Sequence, residues 1–347
     1  LNSNRLMGYF QRTLRWENES EDKFSFTAGL RANYWDLNDE TVVSPRLNLA
    51  WEPNWDRDFL FRFSSGVYYQ PAFYRELRDF DGNLNKNIEA QRSIHFVVGT
   101  DYNFKAWGRP FKFVGEAYYK AMDNIIPYEI DNLRIRYYAE NSAKAYAVGT
   151  DLKINGEFVK GVDSWINLGV MKVFEDIQND SYKEYYNSDG EKIIPGFTVN
   201  NQPTDSIEVE PGYIPRPTDQ RVNFSLFFQD YLPKNPTYKM NLTFFFGSGL
   251  PFGPPSNERY KDTLRIPPYI RVDLGFSKQL LGKESKVGPK NPFRHFNSIW
   301  VGVDIFNLLQ RNNTLSYLWV TDVTNRQYAV PNYLTSRQLN VRFTLEF

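Results

Sequence analysis

Strict alternation of apolar and polar residues dominates this chain. Phe24, Phe26, Ala28, Leu30, Ala32 and Tyr34 alternate with Lys23, Ser25, Thr27, Gly29, Arg31 and Asn33. The same pattern runs through Tyr238, Met240, Leu242, Phe244 and Phe246, through Ile270, Val272, Leu274 and Phe276, and through Leu339, Val341, Phe343, Leu345 and Phe347. Successive side chains of a strand point to opposite faces, so a period of two predicts strands with one apolar and one polar face. Weaker alternation recurs near 46–52, 59–70, 94–104, 146–155, 222–229 and 299–306, and segments 5–16, 111–121 and 164–174 also read as strands. No window places its apolar residues at i, i+3 and i+4, so helix should be nearly absent.

These strands are long, about 9–13 residues against the roughly 5–6 usual in soluble sheets. A tilted strand needs about 9–11 residues to cross a hydrocarbon core. Their connections fall into two alternating classes. Brief turns at NESED (17–21), PNWDR (53–57), KAWGR (105–109), NGEFVKG (156–162) and DYLPKNPT (230–237) interleave with longer segments near 36–43, 70–91, 122–143, 175–217, 249–266 and 309–335. Short–long alternation is what a transmembrane up-and-down β-barrel produces, with tight periplasmic turns and long extracellular loops. Sandwiches and propellers also alternate apolar and polar residues but have no reason to sort their connections this way.

Composition supports the membrane reading. Aromatic residues make up 17% of the 347, including 28 Phe, 23 Tyr and 8 Trp, as expected where rings gird two membrane–water interfaces. Trp16, Trp51, Trp55 and Trp107 sit at or beside short turns, and Tyr34, Trp35, Tyr68, Tyr69 and Tyr119 at the opposite strand ends. Lys plus Arg and Asp plus Glu are 41 each, which gives no basic excess for nucleic acid. No stretch approaches the roughly 18 apolar residues of a membrane helix. Cysteine is absent, which removes disulfides and thiolate metal sites. About thirteen strands are expected over residues 1–347, the first starting at the long-loop rim and the last ending on the short-turn rim. A complete barrel of this kind has both termini in the periplasm. An odd count cannot close such a barrel alone, so roughly half of the wall is expected to lie outside this sequence.

SPRLNLAWEPNWDRDFLFRFSSGVYYQPAFYREL at 44–77 resembles the mid-barrel region of TonB-dependent receptors, with its "SPR" strand, turn and "YYQP" strand end. VGVDIFNLLQRNNTLSYLWV at 301–320 and YAVPNYLTSRQLNVRFTLEF at 328–347 resemble the last two strands of that family, in a style closest to Bacteroidetes versions. Phe347 is similar to the aromatic C-terminal signal for barrel insertion. The resemblance implies an all-β fold, the C-terminal thirteen or so strands of a twenty-two-stranded barrel, in the outer membrane of a Gram-negative bacterium. It implies uptake of a ligand too large for porins: a glycan, a peptide or a siderophore. It also implies outer-membrane lipid, a plug domain and the TonB complex as partners, with a surface lipoprotein lid as a further one; the plug and TonB box are not in this chain. A non-transporting barrel serving an assembly or secretion complex, or a passive porin, are the alternatives.

In family terms the ligand is held by extracellular loops and the upper lumen. The ring-bearing candidates there are Tyr74, Tyr128, Tyr137, Tyr138, Tyr185, Tyr186, Tyr317, Trp319, Tyr328 and Tyr333, which could stack on a sugar or a catechol or simply pack loop on loop. DFDGNLNKN at 79–87 lacks the spacing of a calcium loop, with Gly82 fourth and Ala90 twelfth from Asp79, and reads as a turn. NSDGEK at 187–192 reads as an Asp-Gly turn. The two histidines, His95 and His295, form no hydrolase spacing, so no catalytic residue, metal or cofactor is expected. Arg31, Arg46, Arg62, Arg271, Asp273, Arg342 and Glu346 fall on polar faces and are expected to form lumenal charge ladders.

Overall fold

The computed structural model describes residues 2–232, 235–254, 260–261, 263–282, 288, 291–324 and 326–347. Thirteen long strands form one antiparallel sheet in which each pairs with the next: β1 Arg5–Glu17, β2 Lys23–Trp35, β3 Glu40–Glu52, β4 Asp58–Gln70, β5 Gln91–Ala106, β6 Arg109–Ile125, β7 Ala143–Val159, β8 Val162–Ile177, β9 Val222–Leu232, β10 Asn235–Gly247, β11 Tyr269–Leu281, β12 Ser298–Phe306 and β13 Gln338–Glu346. A short strand, Tyr213–Pro215, pairs with the top of β8. The single helical turn among the described residues, Pro292–His295, contains His295. At the β5–β6 hairpin, Trp107 and Gly108 both have positive φ, 54° and 73°, as the two-residue turn matching strand twist requires.

Directly paired residues share a face, so the registers sort every wall residue. One face carries the apolar residues and leaves them open: Leu6 and Phe10 are each 73% exposed, and Phe343 is 68% exposed. A continuous apolar surface of this size faces lipid, not water. The opposite face is polar. There Arg62 lies 2.6 Å from Asp101 and 3.1 Å from Glu116, and Lys112 bonds the second Asp101 oxygen at 2.7 Å. Arg271 pairs with Asp273 at 2.7 Å and Arg342 with Asp304 at 3.9 Å. The other expected ladder members have different partners. Arg46 stacks over Tyr68, Arg31 donates to the Met7 sulfur, and Glu346 accepts from Ser298. Gly169 and Gly275 serve this crowded face: a Cβ on Gly169 would lie 2.6 Å from Asn223, and one on Gly275 2.5 Å from Asn241.

At the short-turn rim a chain of rings crosses seven strands. Trp16 stacks on Phe24 at 5.5 Å and Phe24 on Trp51, while Trp51 meets Trp55 edge-on and packs tilted against Phe61. The chain continues through Phe59, Tyr102, Phe104 and Phe111, which Trp107 and Phe158 both meet edge-on. All four tryptophans expected in the lower girdle are in it. The upper set divides. Tyr34, Tyr69 and Tyr119 take the lipid face, but Trp35 and Tyr68 point inward, because each is one residue out of phase with the apolar stripe of its strand. Trp35 is 2% exposed and Tyr68 stacks on His95 at 4.3 Å, so neither belongs to a girdle.

Buried apolar clusters of the described residues gather at the upper ends of the wall strands and in the loops above them. Trp35, Leu77, Ile88, Ile126, Tyr137 and Ala139 form one, drawing together the loops after β2, β4 and β6. Ile125, Ala143, Ala145, Ile177 and Ile214 form the second. The long connections also contain hairpins that sequence pattern did not show: Tyr128–Asp131 with Arg134–Tyr137, Tyr182–Tyr186 with Asp205–Val209, and Thr314–Thr321 with Gln327–Tyr333. The expected turns at 79–87 and 187–192 are present, with the Asp79 carboxylate and the Asn187 side chain each accepting two backbone N–H groups.

Candidate functional site

The clustered loops roof a cavity of about 760 Å³ at the top of the lumen. The wall contributes Arg31, Tyr68, His95 and Lys120 from the inward faces of β2, β4, β5 and β6, and Arg92 borders the cavity at the upper end of β5. The loops contribute Phe73, Arg75, Glu76, Tyr128, Tyr137 and Arg216, and Arg5 reaches in from β1. Among the described residues, six cations therefore line the cavity, against one lining carboxylate, Glu76.

Three of these cations hold the structure together. Arg5 stacks 4.2 Å over Trp35 and donates to the Ala72 carbonyl at 2.6 Å. Arg92 pairs with Asp123 at 2.7 Å, and Arg216 with the wholly buried Glu175 at 3.1 Å. Arg31, Arg75 and Lys120 form no ion pair among the described residues. Arg75 lies 5.8 Å over the rings of both Phe73 and Tyr137, which hold it at the cavity wall without neutralising it. The site thus presents unspent positive charge beside flat rings.

Burial pushes the Glu76 carboxyl above the ordinary carboxylate range, against the opposing pull of the Phe73 N–H, Arg75 and Arg216. A raised folded value means that the loop around it gives up stability as pH rises from the ordinary carboxylate range through the raised one. Glu76→Gln keeps an acceptor for the Phe73 N–H, bonded at 2.7 Å, and removes the one anion that lines the cavity among the described residues. The variant is expected to abolish that pH dependence of loop opening in hydrogen exchange and to tighten anion binding several-fold. Unchanged anion affinity would count against the electrostatic description of the cavity.

The structure distributes the ring candidates among separate places. Tyr128 and Tyr137 line the cavity, 5.9 Å apart. Tyr74 meets the Trp35 edge and bonds Ser3, while Tyr138 packs on Phe80. Tyr185 and Tyr186 lie in the 182–209 hairpin, with Tyr186 donating to Glu184. Tyr317 and Trp319 flank Phe252; Tyr328 donates to Asp322, and Tyr333 is half exposed. The hairpins nevertheless touch. Asn132 accepts from Ser316 and Asn332 at 3.0 and 2.6 Å, and Arg326 donates to the Gly196 carbonyl. Sequence reading missed the cation set, whose members are scattered from residue 5 to residue 216 and carry no local spacing; only Arg31 stood out, by its polar-face position.

A lipid-faced antiparallel wall, a charged lumen and a roofed outer vestibule define a transmembrane β-barrel of the receptor type. The description "TonB dependent receptor-like, beta-barrel" matches residues 2–308, and the chain belongs to that family. No curated protein matches the sequence. Among solved structures the fold is similar to the outer membrane transporter YddB from Escherichia coli, at 14% identity and TM-score 0.56 over 94% of this chain and 45% of that one. It is also similar to the FrpB iron transporter from Neisseria meningitidis, at 11% and 0.57 over 99% and 45%. A third is FpvA of P. aeruginosa, solved bound to a heterologous pyoverdine with iron, at 13% and 0.57 over 98% and 38%. The chain spans less than half the length of these proteins.

Proposed function

We propose that this chain is the ligand-facing wall of an outer-membrane, TonB-dependent uptake receptor, and that its ligand is an anion with flat or ring-like parts. The carrying observation is the vestibule, where Arg31, Arg75 and Lys120 stand unpaired beside Tyr128, Tyr137 and Tyr68. Among the ligands expected of the family, this favours an acidic siderophore or an acidic peptide over a neutral glycan. Fold relatives that include an iron transporter and a receptor bound to a pyoverdine with iron are consistent with that choice. A plug and TonB box elsewhere in the polypeptide would make the uptake energised, and a surface lipoprotein lid would close the loop layer from above.

The test uses the full-length protein and a panel of probes: a ferric tris-catecholate, a neutral ferric hydroxamate, an acidic peptide and a neutral oligosaccharide. The anionic members should bind preferentially, more weakly as salt rises. The combined variant Arg31→Gln, Arg75→Gln, Lys120→Gln should lose at least about tenfold in affinity, each charge-assisted contact being worth roughly 1.5–3 kcal/mol. Equal binding of the neutral probes, or an undiminished triple variant, would sink the proposal.

A further inference from the structure

Two cations lie where lipid should be. Lys172 stands on β8 between Val170 and Phe174, and its register partner is Val148, all on the apolar outward face. Its ammonium lies 4.3 Å over the Phe174 ring and 5.8 Å from that of Tyr146. Arg221, just before β9, reaches the same Phe174 ring at 5.0 Å. Both charges therefore flank one outward ring.

Their height is informative. On β8, Lys172 is ten residues above the hairpin end at Val162, next to the lower belt ring Phe158. At about 3.3 Å per residue and a tilt near 40°, that is roughly 25 Å, the height of a barrel's apolar band. Lys172 and Arg221 thus sit at the outer interface, with Tyr119, Tyr146 and Tyr213 as neighbouring girdle rings.

The local charge balance leaves a surplus. Asp219, wholly buried, is the shared partner of Arg221 at 2.7 Å and of Arg265, so one carboxylate serves two guanidiniums. Lys172 forms no ion pair among the described residues. Of the nearby acids, Asp123 pairs with Arg92, and Asp176 is registered opposite Lys144.

Beneath the cations the outer face is troughed. Ala117 and Thr150 are paired side by side on β6 and β7, between the taller Phe96 and Val98 of β5 and Val170 of β8. The resulting groove holds about 680 Å³ and runs up to Lys172 and Arg221. An apolar trough in the hydrocarbon layer topped by Lys172 and by Arg221, which shares a single carboxylate with Arg265, matches an acyl chain bearing an anionic headgroup.

We infer that the outer face of β5–β8 is a specific seat for a phosphate-bearing lipid of the outer leaflet, with the phosphate between Lys172 and Arg221 and one acyl chain over Ala117 and Thr150. The seat is separate from the vestibule, so it stands or falls independently of the ligand assigned there. It would anchor the wall beneath the loop stem at 213–221, which carries both Arg216 of the vestibule and Arg221.

The test is lipid retention by the purified full-length protein in mild detergent, read by native mass spectrometry. The probes are bisphosphorylated lipid A and the same lipid with its phosphates removed. The wild type should retain the phosphorylated form at least fivefold better, and Lys172→Gln alone should erase most of that preference. Lys172→Gln with Arg221→Gln should erase it fully. Lys278→Gln, an outward lysine stacked on Tyr238 at the opposite rim, should leave it unchanged. Heat-modifiable migration on gels verifies that each variant still forms a barrel. Equal retention of the two lipids, undiminished retention by Lys172→Gln, or displacement of the lipid by inorganic phosphate alone would overturn the inference.

Discussion

Leu242→Arg is expected to block membrane assembly, whereas Thr243→Arg, one residue further along the same strand, is not. Leu242 lies mid-strand on β10 with Phe228 and Leu274 as its register partners, in the apolar stripe. A guanidinium on the lipid face near the bilayer midplane costs about 2–4 kcal/mol. Thr243 faces the lumen between Phe227 and Asp273, where water and a carboxylate receive the new charge. The measurement is the yield of heat-modifiable barrel in the outer membrane. A large loss for Leu242→Arg with near-normal yield for Thr243→Arg is the expected result. Equal loss in both would mean that the two faces have been assigned wrongly.

Arg216→Ala is expected to open the loop layer. Its Nε lies 3.1 Å from Glu175, whose side chain is 0% exposed, while the arginine is itself 13% exposed. Tyr128 lies under the guanidinium at 5.5 Å. Removing one partner of a buried pair typically costs about 3–5 kcal/mol, because the remaining charge is left in a poor solvent. The penalty should appear locally, as faster hydrogen exchange and protease cleavage in 126–142 and 213–221, since these segments meet at that pair. Restoring neutrality with Arg216→Met and Glu175→Gln together should recover most of the loss. If the double variant is as open as the single one, packing of the arginine stem and not charge holds the layer.

How far the sequence reaches can be judged from particular residues. The Phe24–Tyr34 and Leu339–Phe347 alternations gave strand, face and membrane from the chain alone, because a wall strand contacts lipid on one side and water on the other along its whole length. Trp16, Trp51, Trp55 and Trp107 marked the lower belt for the same reason: an interface acts on each ring wherever it lies. Trp35 and Tyr68 resisted this reading because their being aromatic mattered less than their phase, and the phase put them inward.

The vestibule belongs to the other category. Its cations come from β1, β2, β5 and β6 and from the loops at 71–90 and 210–221, so no window of sequence contains the site. Tyr128 and Tyr137 were legible as ring candidates, yet nothing local separated them from Tyr185 or Tyr328, which the fold places elsewhere. The sequence by itself determined the wall, the sidedness of its strands and the ranks of its connections, since these follow from a solvent boundary that every residue feels alone. Which charges remain unpaired, which loops share a core and where cations meet an outward trough were decided only by tertiary structure. Those properties depend on distances between residues far apart in the chain, and strand register and loop packing alone set them.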